Sequence, residues 1–202
     1  VIRQLVSLLY LSNRLEEALQ ALDLVGPDGL DGMERLTAEI DMKTGQFDQA
    51  VALAERSLAG TQRHSARDLL WFGQLLARAG KTDKAGDVLQ QAVDSDPSQP
   101  PAWMALFSNQ LTAGQRRSAE QTLSKGGEAL APPQRQLFLA QGEEILGRID
   151  EAEKRFREAF DAAPNNPTTA RSLAAFLVRR GRLTAAREEL LAIIASSGDE
   201  PA

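Results

Sequence analysis

Few residues of this chain have types and spacing that could support catalysis. His64 is the single histidine, and it stands next to Ser65. Nucleophilic catalysis by serine needs a base that reaches the hydroxyl group, and adjacent residues rarely meet in that geometry. The chain has no cysteine, which excludes thiol nucleophiles and Cys-ligated metal sites. We therefore interpret His64 as a surface residue at a junction between elements.

Two other patterns suggest chemistry and are better explained by structure. Gly80-Lys81-Thr82 is similar to the end of a phosphate-binding loop, which needs a glycine at position 75 and a preceding strand. That position is Leu75, and the residues before it have a helical pattern. The paired acids Glu143-Glu144 and Glu188-Glu189 are neighbours on predicted helices and point about 100° apart. The sequence therefore predicts no catalytic residue, no metal site and no cofactor.

Composition limits the class of protein. The 202 residues contain 23 Lys+Arg and 28 Asp+Glu, a net charge of −5, which argues against a nucleic-acid partner. No segment approaches the roughly 18 apolar residues of a membrane span, so membrane insertion is not expected. We interpret the apolar residues 1–11 as a helix rather than a signal-peptide core. The first residue is valine, which suggests a fragment of a longer protein, and the compartment is not predicted.

A repeat of about 34 residues runs through the whole chain. Glycines recur at intervals of 33 to 35 residues, and an alanine follows each of them five residues later. Asn13 and Ala18 extend this pattern towards the start, because asparagine can replace glycine where a helix ends in a left-handed residue. The glycine and alanine pairs are Gly45 and Ala50, Gly80 and Ala85, Gly114 and Ala119, Gly147 and Ala152, and Gly181 and Ala186.

Each repeat is predicted to form two helices around its glycine. Apolar residues recur at helical spacing on both sides, as in Leu69, Phe72 and Leu76, and no run alternates as a strand would. Pro97 and Pro164 each end a second helix, because proline cannot continue it. The prediction is an all-α single array covering residues 1–202, with repeats at 1–32, 33–65, 66–99, 100–132, 133–166 and 167–202.

These residues resemble the tetratricopeptide repeat (TPR) family, in a tandem array of bacterial type. The fullest match is in the third repeat, at Leu69, Phe72, Gly73, Leu76, Ala85, Leu89, Ala92 and Pro97. Trp103 and Leu106 open the fourth repeat, and the fifth matches at Ala152, Phe156, Ala159 and Pro164. The resemblance implies a right-handed superhelical α-solenoid of about six helix-turn-helix repeats and twelve helices. It also implies a concave groove, lined by the first helices, that binds proteins or peptides.

Three departures from the family pattern lead to local predictions. Asp41 stands where an aromatic residue is usual, so the first helix of the second repeat is expected to be short or shifted. Gly126 and Gly127 cost about 1 kcal/mol each relative to alanine, so their helix is expected to end early, near Ser124. The loop 26–32 is the longest and is the expected hinge.

The groove positions implied by the resemblance supply the candidate binding residues. In the first three repeats these positions are basic, and Trp71 is adjacent to them. The middle of the groove is more neutral and polar. We hypothesise a non-catalytic scaffold whose groove takes an acidic or amphipathic segment. Its candidate binding residues are Arg3, Arg35, Arg67, Trp71, Gln74, Met104, Ser108 and Gln141.

Two alternatives remain at this stage. The chain can be a substrate-recruiting arm of a larger multidomain protein or enzyme. It can also self-associate through its C-terminal helix, because residues 190–195 are unusually apolar for a terminal helix. A basic cluster at the last turn is interpreted as a solubilising patch, since acidic residues follow it; it consists of Arg179, Arg180, Arg182 and Arg187.

Overall fold

The computed structural model describes residues 2–24, 32–59, 64–184, 186–188 and 191. Within those residues the chain is all-α, with helices joined by turns and loops and no strand. Contacts divide the chain into two compact units, Val1–Ser95 and Asp96–Ala202. This division falls at the end of the third predicted repeat. The single array across the whole chain stays a prediction.

Both units consist of helical hairpins. In the first unit α1 packs on α2, α3 on α4 and α5 on α6. In the second unit α7 packs on α8, α9 packs on α10, and α11 contacts α10. Residues 183–184, 186–188 and 191 are also helical and belong to a twelfth helix. The bounds are α1 Ile2–Leu11, α2 Leu15–Asp23, α3 Glu34–Thr44, α4 Phe47–Ala59, α5 Ala66–Arg78, α6 Thr82–Ser95, α7 Pro100–Thr112, α8 Arg116–Ala129, α9 Gln134–Ile145, α10 Ile149–Ala162 and α11 Pro167–Arg179.

The repeating glycines form the turns within the hairpins, as predicted. All five have positive φ, from +73° to +85°, and Asn13 has φ +57°. The residue after each of these turns donates its backbone N–H to a carbonyl five residues back, as Lys81 does to Leu76 at 2.9 Å. This bond satisfies a carbonyl that the helix end would leave unpaired. The prolines also act as predicted, because α6 ends at Ser95 and α10 at Ala162.

The repeating alanines lie in the buried core of their hairpins. All six are buried, with at most 2% of their surface exposed: Ala18, Ala50, Ala85, Ala119, Ala152 and Ala186. Larger side chains fill the adjacent space, as where the Phe156 and Phe176 rings pack with centroids 5.1 Å apart. Within each unit, the apolar faces of paired helices are covered by each other and by the neighbouring hairpin.

The prediction that Gly126 and Gly127 shorten their helix is wrong. The helix α8 continues through both glycines to Ala129. A Cβ atom added at Gly126 would lie 2.5 Å from Cε1 of Phe138, and one at Gly127 would lie 2.9 Å from Cδ2 of Leu139. The glycines therefore allow α8 and α9 to approach closely, and this packing offsets their low helix propensity.

The helix that contains Asp41 is only slightly shorter than its counterparts. It starts at Glu34, has 11 residues, and ends in register, one residue before Gly45. Asp41 lies inside it and does not interrupt it. The predicted hinge lies outside the described residues, except for Gly32, which has φ +71°.

Candidate functional site

Two of the residues first considered for catalysis or phosphate binding, Ser65 and Gly80, have structural roles. Ser65 is the N-cap of α5: its hydroxyl group accepts a hydrogen bond from the Asp68 backbone N–H at 3.2 Å and donates to the Asp68 carboxylate at 2.7 Å. Gly80 lies in the turn between α5 and α6. Within the described residues there is no group of three or more His, Asp or Glu side chains placed to hold a metal ion. None of the helices in that part of the chain is long and apolar enough to span a bilayer.

Two of the candidate binding residues, Arg35 and Trp71, are in direct contact on the first helices of the first unit. The Arg35 guanidinium group lies 4.4 Å from the centre of the Trp71 ring, within cation–π distance. Its Nη1 donates to the Asp68 carboxylate at 2.9 Å. Hydrogen bonds from Ser65, and then from Arg35, hold the pKa of Asp68 below its ordinary value. Arg35 is therefore fixed between an aromatic face and a carboxylate.

Glu39 joins this contact to the other end of α5. The half-buried Trp71 donates its indole N–H to the Glu39 carboxylate. The other oxygen of Glu39 lies 4.0 Å from Nη1 of Arg78. We call the connected set Arg35, Glu39, Asp68, Trp71 and Arg78 the Trp71 surface. The sequence predicted a basic surface with an aromatic neighbour here. The Trp71 surface alternates in charge instead, because Glu39 and Asp68 accompany its cations.

Other candidate residues of the first unit extend the Trp71 surface along α5. Arg67 and Gln74 are exposed, and the spacing of Arg67, Trp71, Gln74 and Arg78 places them on one side of the helix. The Arg67 side chain makes no hydrogen bond or ion pair with any described residue. Arg3 lies apart on α1, where its guanidinium group approaches Gly32.

The remaining candidates belong to the second unit. Met104 and Ser108 are half-buried and lie one turn apart on α7, and Gln141 is exposed on α9. These two helices contact each other. The three residues form a neutral surface on neighbouring first helices of this unit, and their role in binding stays a prediction.

Sequence reasoning missed the acidic partners of the arginines. In both units cations pair with carboxylates from the neighbouring repeat, at sequence separations of 28 to 39 residues. Of the cluster predicted at the last turn, Arg179 and Arg180 pair with Glu144 and Arg182 pairs with Glu153, so most of it serves to join repeats. Opposite charges one repeat apart are the sequence signal that would have found them. The other pairs are Arg35–Asp68, Arg78–Glu39, Lys81–Asp48, Lys84–Glu55 and Arg148–Glu120.

Comparison with solved structures gives the fold. A tetratricopeptide repeat protein from Parabacteroides merdae aligns with a TM-score of 0.57 at 17% identity, covering 99% of this chain and 79% of that one. A thermophilic TPR protein of Thermus thermophilus aligns with a TM-score of 0.53 at 21% identity, covering 87% and 96%. The Cut9–Hcn1 hetero-tetramer of the APC/C aligns with a TM-score of 0.50 at 16% identity, covering 98% and 38%.

Comparison at the level of sequence gives the family. No curated protein matches the chain. Two sequence families, both described as tetratricopeptide repeat, match it: one at residues 36–100 and the other at residues 76–142 and 145–202. The second of these alone covers more than half of the chain. With its six glycine or asparagine turns and its buried alanines, the chain belongs to the tetratricopeptide repeat family.

Proposed function

We propose that this chain is a non-catalytic scaffold that binds a segment of another protein on the Trp71 surface. The TPR fold supports a protein-interaction role in general terms. The observation that carries the finer proposal is the contact between Arg35 and Trp71, because tryptophan and arginine are the residues that most often dominate binding energy at protein interfaces.

The geometry favours a ligand with carboxylate groups. A guanidinium group has five N–H donors, and one of those on Arg35 is used by Asp68. The other donors can bind a ligand carboxylate while the Trp71 ring keeps the group in place. Such pre-positioning lowers the conformational entropy lost on binding. Arg67, one turn before Trp71, supplies a second cation without a partner among the described residues.

The half-buried Trp71 ring adds an apolar contact between these charges. An amphipathic acidic segment would place an apolar side chain against this ring and its carboxylates against Arg35 and Arg67. A strongly basic segment would instead compete with Arg35 and Arg78 for Glu39 and Asp68. The sequence left an acidic or an amphipathic segment open; we propose a ligand that is both, with Trp71 at the centre of its binding surface.

The test uses peptides selected from a random library for binding to the chain. We expect acidic peptides with an apolar residue to be enriched, and Arg35→Glu/Arg67→Glu to weaken their binding at least about tenfold in fluorescence polarisation. Arg117→Glu/Lys125→Glu is the matched control, since it makes the same charge change at exposed positions of α8. If both double variants lost peptide affinity equally, or if neither lost it, the interface would lie elsewhere on the chain.

A further inference from the structure

A cleft on the opposite side of α3 from the Trp71 surface has no role in the proposed function. It has a volume of about 520 Å³ and lies between α2, α3 and α4 of the first unit. Its walls combine apolar and polar side chains. Those used below are Leu19, Leu22, Leu53, Asp23, Asp41 and Arg56.

Asp41 is the unusual residue of this cleft. Only 3% of its surface is exposed, yet its carboxylate makes no hydrogen bond or ion pair within the described residues. Its backbone carbonyl is used, because it accepts the turn bond from the Gln46 N–H at 2.7 Å. A buried carboxylate without a partner is costly, so such groups in folded proteins are normally paired. The Asp41 side chain is thus almost wholly covered, and its carboxylate lines the cleft without a partner from the described residues.

The charges around Asp41 define what that partner is. Asp23, at the end of α2, lines the same cleft and is near enough to oppose ionisation of Asp41. Burial, and then the charge of Asp23, raise the pKa of Asp41 to about 6. Arg56 on α4 also lines the cleft, but it forms no ion pair with either carboxylate.

We propose that this cleft binds a lysine or arginine side chain of a partner protein, with its cationic group against Asp41 and Asp23. The leucines on the walls, Leu19, Leu22 and Leu53, suit the apolar stem of such a side chain, since long cationic residues bury their methylene groups and keep the charge at a polar end. The ligand supplies the positive charge that Asp41 lacks in the free protein. This site is independent of the Trp71 surface and selects the opposite charge.

The test is an NMR titration of the whole chain with three probes. The first is a blocked Ala-Lys-Ala tripeptide, the second is the same tripeptide with norleucine in place of lysine, and the third is butylamine. We expect the lysine peptide to shift amide signals around Asp41, and to bind about tenfold more tightly than the norleucine peptide. Its binding should also strengthen between about pH 5 and pH 8, as Asp41 ionises.

Variants identify the residue responsible. Asp41→Asn should weaken binding of the lysine peptide about tenfold and remove its pH dependence, whereas Asp87→Asn, at an exposed position of α6, should leave both unchanged. Asp23→Asn, at an exposed position, should weaken binding by a smaller factor, and it serves as the second test if Asp41→Asn perturbs the fold. Equal binding of the norleucine peptide, unchanged binding by Asp41→Asn, or no detectable shift with the lysine peptide would overturn the proposal. Butylamine binding as tightly as the lysine peptide would assign the cleft to small amines and overturn the protein partner.

Discussion

The edge of the Phe138 ring occupies the space that a side chain at Gly126 would need. A Cβ atom at this position would lie 2.5 Å from Cε1 of Phe138 and 3.1 Å from Cδ2 of Trp103. Gly126 is buried, and Phe138 has only 2% of its surface exposed. The contact between α8 and α9 thus depends on the absence of a side chain on α8.

This contact predicts that Gly126→Ala destabilises the protein, although alanine is the better helix former. Overpacking of a filled core should lower the free energy of unfolding by about 1 to 3 kcal/mol. Urea unfolding measures it, with Ser124→Ala at an exposed position of the same helix as the control. Adding Phe138→Leu to Gly126→Ala should recover part of the loss. A stabilised Gly126→Ala would show that propensity outweighs packing at this site.

The raised pKa of Asp41 predicts that acid stabilises the first unit. Because its folded pKa of about 6 exceeds the ordinary 3.8, the folded chain binds the proton more tightly than the unfolded chain. The resulting stability is fully present below pH 3.8 and is lost as the pH rises through 6. Because most of this loss falls between pH 3.8 and pH 6, we expect a difference of at most about 1.4 kcal/mol between pH 8 and pH 5.

Asp41→Asn isolates this effect, since the variant and the wild type share every other titrating group. The variant should be more stable than the wild type at pH 8, and this advantage should shrink on acidification. Urea unfolding across that range gives both quantities, and Asp87→Asn controls for the general loss of one negative charge. Parallel curves for Asp41→Asn and the wild type would contradict the assignment.

Glu144 predicts the opposite response in the second unit. It accepts from Nη2 of Arg179 at 2.7 Å and from Nη2 of Arg180 at 3.1 Å. Hydrogen bonds from Arg179, and then from Arg180, lower the pKa of Glu144 below the ordinary 4.5. The contribution of Glu144 to the free energy of unfolding is therefore present above pH 4.5, and it is lost as the pH falls through the lowered pKa. Glu144→Gln should cost about 1 kcal/mol at neutral pH and progressively less in acid. Glu151→Gln, at an exposed position on α10, should cost nothing measurable at either pH.

The exposed leucines of α1 predict a change in solubility without a change in stability. Leu8 and Leu11 are 62% and 78% exposed. Leu8→Lys/Leu11→Lys should alter the free energy of unfolding by less than about 0.5 kcal/mol, and should raise the concentration at which ammonium sulfate precipitates the protein. Val6→Lys, at a fully buried position of the same helix, should unfold the first hairpin. A comparable loss of stability in the double variant would mean that the leucines are packed in solution.

The apolar residues 190–195, for which the sequence predicted self-association, lie outside the described residues except for Leu191.

The repeat architecture could be predicted from the sequence because its determinants are local. A glycine at Gly80 and an alanine at Ala85 specify a left-handed turn and a close helix crossing within a few residues. Periodicity then places the same pair in every repeat. Gly126 was misjudged because helix propensity is a property of one helix, whereas its role depends on the position of Phe138 on the next.

The candidate site could be predicted only in part. The helical spacing placed Arg35 and Trp71 on the first helices, but it did not show that Arg35 pairs with Asp68, which is 33 residues away. That pairing depends on how two repeats lie against each other. The sequence showed that Asp41 is unusual for its position. It did not show the cleft, because three separate helices form its walls and no single segment carries a pattern that predicts it.

The pairing of charges between neighbouring repeats has a consequence for synthesis of the protein. Helix contacts and ion pairs in both units join segments that leave the ribosome within about 40 residues of each other. Within each unit, a new hairpin can therefore form and dock on its predecessor while the next is still being translated. Low contact order of this kind favours fast folding. A pause in translation within a unit would leave the most recently made hairpin with one apolar face uncovered.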